Sequence, residues 1–544
     1  MNMTHKITMA AVIAAALLIL SQGISAQTFV WGSTDVRYDR TAAPQACAAP
    51  ALTAWKGERV SAQAVFSAVS DATVSITASD LKSGRNVIPA SCISHGFVEY
   101  VITDWYGKLG ENVSLQPDRL VNAGRFTVSA GNNCPVWFTI QVPQGTPAGK
   151  YKGTVSASFD GKSITLPLAV TVTGRTLPAP EEWSFHLDLW QDPYAFARYF
   201  NVPLWSKEHF DAMRPMVEKY VAAGGKVMTA SIIRHPWNCQ TYDPYESMVA
   251  KQKHLDGSWT YDYSVFDRWV EFMLSCGVTE QIDCYTVVPW GYEFEYFDIA
   301  SSSVKTIACN PGEQAYEDYI LPFLTDFAKH LKAKGWFEKT CIAMDERPMD
   351  QLIAARKVVQ KADPAFRIQG AVNYSPEVVD IMYDISVGYS YSNLPDEVKV
   401  QRKKDNLVTT IYTCCNPEHP NTFTFSPLAE SEYIPLSAAA RGYGGYLRWA
   451  LFSWPEDPCK DSRFGNWLSG DTYLLYPEGS SLRFERLVEG IQDFEKIRIL
   501  RETGDRKIIG KLDAILAPFR EIVTDDTINA AETVVKAKAA INKL

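Results

Sequence analysis

Residues 340–362, TCIAMDERPMDQLIAARKVVQKA, join a short apolar segment to a helical one and place two acidic residues between them. The first part, TCIAMDE (340–346), is typical of a buried strand, and a helix is predicted near 349–362. Asp345 and Glu346 stand where this strand ends. Adjacent carboxylates repel each other and are costly to bury. The two residues are therefore expected either to face solvent or to belong to an active site.

The same strand-and-helix pattern recurs along residues 183–502. The predicted strands are WSFHLDLW (183–190), GKVMTASII (225–233), EQIDCYTVVPW (280–290), TCIAMDE (340–346), FRIQGAVNY (366–374), DISVGYSY (384–391), NLVTTIYT (406–413) and GGYLRWALFSW (444–454). The predicted helices lie near 207–223, 264–276, 313–334, 349–362 and 482–502. Eight such units over about 320 residues predict a (β/α)8 barrel, here over 183–504, and a doubly wound sheet is the alternative.

Residues 27–175 have a different pattern, in which apolar and polar residues alternate. The segment TVSASFDGKSITLPLAVTVTG (154–174) consists of two such runs around Asp160-Gly161, a strong hairpin signal. We therefore predict an N-terminal β-sandwich before the barrel, with a proline-containing linker near 174–183. Residues 505–544 are predicted to form a C-terminal tail of two helices.

The first 26 residues are predicted to be a signal peptide. Lys6 precedes the apolar run ITMAAVIAAALLIL (7–20), and Ser25 and Ala26 offer a cleavage site before Gln27. The apolar run is shorter than the roughly 20 residues that a membrane span needs. We therefore expect an exported protein, periplasmic or secreted, with no stable membrane insertion.

Composition excludes several classes of partner. The net charge is −9 and no cluster of Lys and Arg stands out, so a nucleic-acid partner is not expected. The 11 cysteines form no CxxC pair and the eight histidines show no metal-binding spacing, so neither a metal site nor a cofactor is predicted. Cys414 and Cys415 are adjacent, which is poor geometry for a disulfide.

A barrel places its functional residues at the C-terminal ends of the strands. In this chain those positions are rich in Trp, Tyr, Asp and Asn, which suits a neutral, polyhydroxylated ligand. Any one of the aromatic residues is also compatible with a place in the core. The predicted substrate-binding residues are Asp188, Trp190, His235, Tyr285, Trp290, Asn373, Tyr374, Tyr389, Tyr391, Arg448, Trp449 and Trp454.

Two interpretations of Asp345 and Glu346, the acidic pair, remain open. The first is that both begin a loop and cap the helix after Pro348. The second is that both act on a sugar. A conventional retaining pair comes from separate strands, with carboxyls about 5 Å apart. Adjacent carboxylates better suit substrate-assisted catalysis, in which the 2-acetamido oxygen of the sugar attacks the anomeric carbon while one carboxylate orients that group and the other protonates the leaving oxygen.

Four segments also resemble a known family. MDERP (344–348), GYGGYLRWALFSWPEDP (442–458), GDTYLLYPEG (470–479) and SLRFERLVEGIQDFEKIRIL (481–500) resemble the glycoside hydrolase family 123 catalytic domain and a related glycoside-hydrolase-like domain of unknown function. The resemblance implies an exo-acting, retaining β-N-acetylgalactosaminidase that acts on an oligosaccharide or glycoconjugate. It also implies that Asp345 orients the acetamide and that Glu346 is the general acid/base. Because a general acid needs a pKa raised towards neutrality, we expect Glu346 to be buried beside Asp345.

Two other functions remain as alternatives. One is a barrel glycosidase with a conventional carboxylate pair, in which Glu346 works with Asp188 or Glu293. The segment GYEFEYFD (291–298), interpreted as a rim loop, would supply Glu293. The other is a non-catalytic glycan-binding protein of the cell envelope.

Overall fold

The structure is a computed structural model that describes residues 26–104, 113–238, 240–391, 393–465 and 467–544. The predicted signal peptide lies outside the described residues, except for Ala26. The chain forms two compact units. The first contains the residues up to Glu99 and Val121–Gly174, and the second contains Tyr100–Leu120 and Arg175–Leu544.

The first unit is a β-sandwich of two antiparallel sheets, as predicted. Its core joins side chains from both sheets, such as Phe66 and Phe159, whose ring centres are 5.2 Å apart. One sheet has the order Thr28–Gly32, Arg59–Ser67, Asn133–Gln141 and Ile93–Thr103. The other has the order Leu52–Lys56, Lys162–Thr176, Gly149–Phe159, Ala72–Ala78 and Phe126–Val128, with the short strands Leu81–Ser83 and Asn86–Ile88 beside it.

The predicted hairpin at Asp160-Gly161 is confirmed. Phe159 pairs with Lys162, and the two residues between them have positive φ angles of 46° and 72°. Asp and Gly tolerate this left-handed conformation better than most residues, which explains why the turn falls at this point.

The second unit contains eight parallel strands in a nearly closed barrel. The strands run β1 (His186–Leu189), β2 (Val227–Ser231), β3 (Gln281–Tyr285), β4 (Thr340–Met344), β5 (Arg367–Ala371), β6 (Asp384–Gly388), β7 (Val408–Tyr412) and β8 (Gly445–Arg448). From β2 onward each strand pairs with the next one in the chain, and β8 pairs with β1. A bridge between Leu187 and Gly225 joins β1 to the start of β2. All eight predicted strands are present, which confirms the barrel.

Helices follow the strands as the periodicity predicts. They are α1 (Pro193–Tyr199), α2 (Lys207–Ala222), α3 (Ser264–Cys276), α4 (Gln314–Lys334), α5 (Met349–Ala362), α6 (Pro376–Val379), α7 (Asp396–Lys404), α8 (Leu428–Arg441), α9 (Leu482–Glu502), α10 (Arg506–Leu516) and α11 (Ala530–Ile541). The tail helix α11 is bound to the barrel helices by Lys538, whose Nζ lies 3.0 Å from Glu432 in α8 and 2.9 Å from Glu489 in α9.

A four-stranded sheet in the second unit was not predicted. Its order is Trp259–Asp262, Ala250–Lys253, Glu293–Asp298 and Ser303–Ala308. The interpretation of 291–298 as a rim loop is therefore wrong, because Glu293–Asp298 pairs along its length with Ser303–Ala308. The sheet is built from the connections that follow β2 and β3, so it belongs to the end of the barrel where functional residues are expected.

One further strand of the second unit, Ser114–Val121, pairs with the short strand Ser480–Ser481 that precedes α9. Beside this pairing, Asp118 accepts a 2.9 Å hydrogen bond from Nε of the buried Arg483. In the described part of the chain, no helix has the length and apolarity to cross a membrane.

Candidate active site

Asp345 is the first residue after the fully buried strand β4, and its side chain is held by two hydrogen bonds. Trp290 Nε1 donates to Oδ2 over 2.7 Å, and the backbone N–H of Glu346 donates to Oδ1 over 2.8 Å. The residue is only 9% exposed. Burial raises the pKa of Asp345 to about 6, against the opposing effect of these two hydrogen bonds. Asp345 therefore titrates closer to neutral pH than an exposed aspartate does. The two hydrogen bonds hold its side chain in one orientation.

Glu346 points to a different set of partners. Its Oε1 accepts hydrogen bonds from the hydroxyls of Tyr391, at 3.0 Å, and of Tyr412, and these two hydroxyls lie 2.7 Å from each other. We expected Glu346 to be buried beside Asp345, but Glu346 is only partly buried. Asp345 is the buried member of the pair. The three oxygens form a small network that can hold a proton close to the carboxylate.

The acidic pair does not cap helix α5. That helix begins at Met349 after Pro348, and no side chain caps its first turn, where the acidic residue is Asp350. The capping interpretation of Asp345 and Glu346 is therefore wrong. Both carboxylates instead form hydrogen bonds with aromatic side chains from other parts of the barrel.

Arg347 stacks between the rings of Trp290 and Tyr292. Its guanidinium carbon lies 4.7 Å from the ring centre of Trp290 and 4.5 Å from that of Tyr292. Burial lowers the pKa of Arg347, and cation–π contact with the two rings compensates part of the lost hydration. Trp290 is thus fixed both by its hydrogen bond to Asp345 and by the stacked arginine.

A cluster of aromatic rings lies beside the acidic pair. Trp190 stacks on Trp237 with ring centres 5.0 Å apart, and Tyr285 lies 4.5 Å from Trp190. These rings belong to a hydrophobic cluster, here called the aromatic cluster, that also includes three aliphatic residues. Its buried members are Trp190, Tyr194, Trp237, Tyr245, Tyr285, Ala343, Ala371, Tyr412 and Leu447. Four partly buried side chains pack against it and can offer surface to a ligand: Trp205, Trp290, Cys414 and Trp449.

Trp449 is positioned by a buried ion pair. Asp471 Oδ1 accepts from Trp449 Nε1 over 3.0 Å and from Arg448 Nη2 over 2.8 Å. Both Arg448 and Asp471 are fully buried. The ring of Trp467 lies edge-on to Trp449 at 5.2 Å, so the two indoles form a partly exposed aromatic surface.

Comparison with known proteins agrees with this geometry. The glycoside hydrolase 123 catalytic domain profile matches residues 190–500, and the family's N-terminal domain profile matches residues 31–158. The chain belongs to glycoside hydrolase family 123. The chain is therefore a glycosidase by family, and its substrate is a carbohydrate.

Solved structures support the same assignment. A family 123 glycoside hydrolase from Clostridium perfringens, studied for glycolipid glycan hydrolysis, is 26% identical, covers 95% of this chain and 98% of its own, and gives a TM-score of 0.89. A GH10 xylanase from termite gut with a bacterial Ig-like domain is 9% identical, covers 82% of this chain and 100% of its own, and gives a TM-score of only 0.34, too low to carry an argument. A comparison with curated proteins finds no match.

Several predicted substrate-binding residues of this family 123 chain are buried in the barrel. Trp454 and Tyr389 have no exposed surface; Trp454 Nε1 donates to the Leu475 carbonyl, and Tyr389 lies against Arg441 of α8. Tyr285 is also fully buried, and its hydroxyl donates to Gln369. These side chains pack inside the barrel and have no exposed surface with which to contact a sugar.

Asp188 belongs to a polar network inside the barrel. It is 1% exposed, its Oδ2 accepts from Trp190 Nε1 over 3.3 Å, and burial raises its pKa to about 7. Nearby, Gln281 Nε2 donates to Asp283 over 2.9 Å and to Asp384 over 2.7 Å. Asp188 is therefore enclosed by the barrel core, whereas Glu293, the other candidate partner of Glu346, is exposed at the start of a strand of the four-stranded sheet.

The remaining predicted residues lie on loops after the strands. His235 is half-buried after β2, has a φ of 50°, and its N–H donates to the Tyr245 carbonyl over 2.9 Å. Asn373 is exposed and Tyr374 is half-buried, directly after β5. The structure thus places these three residues at the correct end of the barrel.

Tyr412 belongs to the site but is absent from the substrate-binding residues that the sequence predicts. It is the last residue of β7 and is 4% exposed, yet its hydroxyl reaches Glu346. The available signal was its position, since functional residues of a barrel lie at the C-terminal ends of its strands. Among the described residues, no cluster of His, Cys, Asp and Glu could hold a metal ion.

Proposed function

We propose that this chain is an exo-acting, retaining β-N-acetylgalactosaminidase that uses the 2-acetamido group of its substrate as the nucleophile. The observation that carries the proposal is the separate anchoring of two adjacent carboxylates. Asp345 is held by Trp290, and Glu346 is held by Tyr391 and Tyr412. Two neighbouring acids with different partners suit two different tasks on one sugar.

In this mechanism Asp345 accepts the acetamide N–H and orients the acetamide oxygen towards the anomeric carbon. As that oxygen attacks, positive charge develops on the oxazolinium ring, and an ionised Asp345 balances it. Burial strengthens this interaction, because the low local dielectric screens the charges less than water does. The short hydrogen bond from Trp290 keeps the carboxylate in one orientation before the substrate arrives.

Glu346 protonates the glycosidic oxygen as the aglycone leaves. It then removes a proton from the water that opens the oxazolinium ring, so that the configuration at the anomeric carbon is retained. The two tyrosine hydroxyls on Oε1 stabilise the carboxylate after it has given up its proton, because they are donors to the charged form.

The alternative with two enzyme carboxylates has little support in this chain. A conventional retaining enzyme needs a second carboxyl about 5 Å from the acid, on the other side of the sugar ring. Asp188 is enclosed in the barrel core, and Glu293 is exposed on the four-stranded sheet. Neither has hydrogen bonds that hold it towards Glu346 among the contacts described.

For the substrate we propose a terminal β-linked N-acetylgalactosamine on a glycolipid or other glycoconjugate. The related Clostridium perfringens enzyme, which was studied for glycolipid glycan hydrolysis, supports this choice. The partly exposed indoles of Trp449 and Trp467 supply a surface on which the apolar face of a sugar can stack. We also propose that the chain acts after export, with residues 1–26 removed, which N-terminal sequencing of the mature protein would test.

The test is a panel of 4-nitrophenyl β-glycosides. We expect turnover of the N-acetylgalactosaminide, weaker turnover of the N-acetylglucosaminide, and almost none of the galactoside, which lacks the nucleophile. A thiazoline analogue of the cyclised intermediate should inhibit strongly, because it resembles the state that the site stabilises. A 2-fluoro sugar that labels an enzyme carboxylate, together with no inhibition by the thiazoline, would refute the proposed mechanism.

A further inference from the structure

The connection after β7 carries two adjacent cysteines on the rim of the candidate active site. Cys414 and Cys415 follow Tyr412 by two and three residues, and their Sγ atoms are 4.0 Å apart. Cys414 is half-buried and packs against the aromatic cluster, whereas Cys415 is exposed. The pair is therefore open to a reagent from solvent on one side and in contact with the site on the other.

The backbone at this point is held on both sides of Cys414. Its N–H donates to the Asn416 carbonyl over 3.2 Å, and its carbonyl accepts from Asn421 Nδ2 over 3.0 Å. The preceding residue, Thr413, is bound through its hydroxyl to Arg448 over 2.9 Å. The two cysteines therefore belong to a segment that hydrogen bonds hold in place and that begins directly after Tyr412.

We propose that Cys414 and Cys415 are a reversible dithiol–disulfide site that small-molecule disulfides oxidise and that lowers glycosidase activity when oxidised. A disulfide needs its sulfurs about 2.05 Å apart and its Cα atoms usually 4.4–6.8 Å apart. Adjacent Cα atoms are about 3.8 Å apart, so the bond is strained. Strained, exposed disulfides are the easily reduced ones, which makes this pair suited to reversible oxidation and not to permanent cross-linking.

The oxidation proceeds by two exchange steps. The Cys415 thiolate attacks one sulfur of the small disulfide, forms a mixed disulfide and releases one thiolate. The Cys414 thiolate then attacks the Cys415 sulfur, closes the bond between the two cysteines and releases the second thiolate. The protons lost by the two cysteines are taken up by the two leaving thiolates, so two cysteine thiols and one disulfide give one new disulfide and two small thiols.

Cys415 is the residue that attacks first. It is the exposed member of the pair, and the hydrogen bond between the two sulfurs lowers its pKa. The more buried Cys414 is the resolving thiol. This order follows from access and from thiolate character, the two factors that control cysteine reactivity.

Closing the bond moves the sulfurs together from 4.0 Å, and the connecting peptide must rotate. Because Tyr412 lies just before this peptide and its hydroxyl binds Glu346, the rotation weakens the support of the acid. The effect on activity rests on the proposed function, whereas formation of the bond does not. We expect kcat to fall several-fold with a smaller change in KM, and dithiothreitol to restore it.

The experiment treats the full chain with oxidised glutathione and maps its cysteine peptides by mass spectrometry. We expect the peptide containing residues 414 and 415 to lose two hydrogens and to keep no glutathione. The variants Cys414→Ser and Cys415→Ser should lack this disulfide, and Cys415→Ser should keep full activity in the oxidant. Cys459→Ser, which changes a half-buried cysteine outside the pair, is the matched control and should behave like the original chain.

Two outcomes would overturn the proposal. One is a pair that stays reduced, or that stops at a glutathione adduct on Cys415, in a large excess of oxidised glutathione over reduced glutathione. The other is a fully formed disulfide with unchanged turnover. As a second measurement that requires no variant, phenylarsine oxide, which bridges neighbouring thiols, should bind once per chain before oxidation and not after it. If the chain turns over no glycoside at all, the mass and arsenical measurements still decide whether the site exists.

Discussion

Trp290 Nε1 donates a 2.7 Å hydrogen bond to Oδ2 of Asp345, which joins the connection after β3 to the end of β4. Burial raises the pKa of this carboxyl, and the bond opposes that rise by favouring the ionised form. The bond therefore controls both the orientation and the charge of the residue that we assign to the acetamide group.

Removal of the Trp290 hydrogen bond is expected to weaken catalysis while an aromatic ring remains at position 290. Trp290→Phe keeps a ring for Arg347 to stack on but removes the donor, so the pKa of Asp345 should rise. Hydrogen bonds to charged groups are worth about 1.5–3 kcal/mol, which predicts a fall in kcat/KM of about 10- to 100-fold. Trp183→Phe is the control, because its indole donates to the Pro178 carbonyl and not to the acidic pair. Equal losses in both variants would contradict the assignment.

The pH dependence of kcat/KM should show the titration of Asp345. Its pKa is raised to about 6, so the residue is mainly ionised above that pH and mainly protonated below it. Since the ionised form balances the oxazolinium charge, activity should fall as the pH drops through about 6. Asp345→Asn, measured over the same range on the 4-nitrophenyl N-acetylgalactosaminide, should have a low rate and should lose this acid limb. An acid limb that is unchanged in Asp345→Asn belongs to another group.

Glu346→Gln is expected to separate substrates by their leaving groups. General acid catalysis contributes about 10²- to 10⁴-fold, so natural glycosides should lose activity on that scale. A 4-nitrophenyl leaving group needs little protonation and should lose much less. Circular dichroism should show that the variant is folded, and equal losses on both classes of substrate would rule out Glu346 as the acid.

The two tyrosines on Glu346 should differ in importance. Tyr412 is 4% exposed and Tyr391 is 44% exposed, so water can replace the hydroxyl of Tyr391 more easily. Tyr412→Phe should lower kcat about tenfold, and Tyr391→Phe less, since a net hydrogen bond is worth about 0.5–1.5 kcal/mol. Because the hydroxyls also contact each other, the double variant should lose less than the two single losses combined. Additive losses would show that the hydroxyls act independently.

Arg448, predicted from the sequence to bind substrate, should instead act on stability. Arg448→Met leaves Asp471 buried without its ion-pair partner, which typically costs about 3–5 kcal/mol of unfolding free energy. Denaturant unfolding measures this loss, and Arg448→Met combined with Asp471→Leu should recover part of it. A variant with unchanged stability and a raised KM would restore Arg448 to the substrate-binding set.

Much of the fold was predictable because it depends on local patterns. The turn at Asp160-Gly161, the helix at 264–276 and the strand that ends at Met344 each follow from residue types within one short segment. The four-stranded sheet was missed because Glu293–Asp298 alternates acid and aromatic over only four residues, and its strand conformation depends on pairing with Ser303–Ala308. Such pairing has no signature in either segment alone.

The sequence by itself determined the order of sandwich and barrel, and it determined that Asp345 and Glu346 follow a barrel strand, since periodicity and adjacency are local properties. Only the tertiary structure decided what each carboxylate touches. Trp290, Tyr391 and Tyr412 come from the connections and ends of three other strands, and only closure of the barrel brings them to the acidic pair. The same closure encloses Asp188 in the core, because side chains that point inward from a strand meet packed neighbours below the rim and open space only at its end.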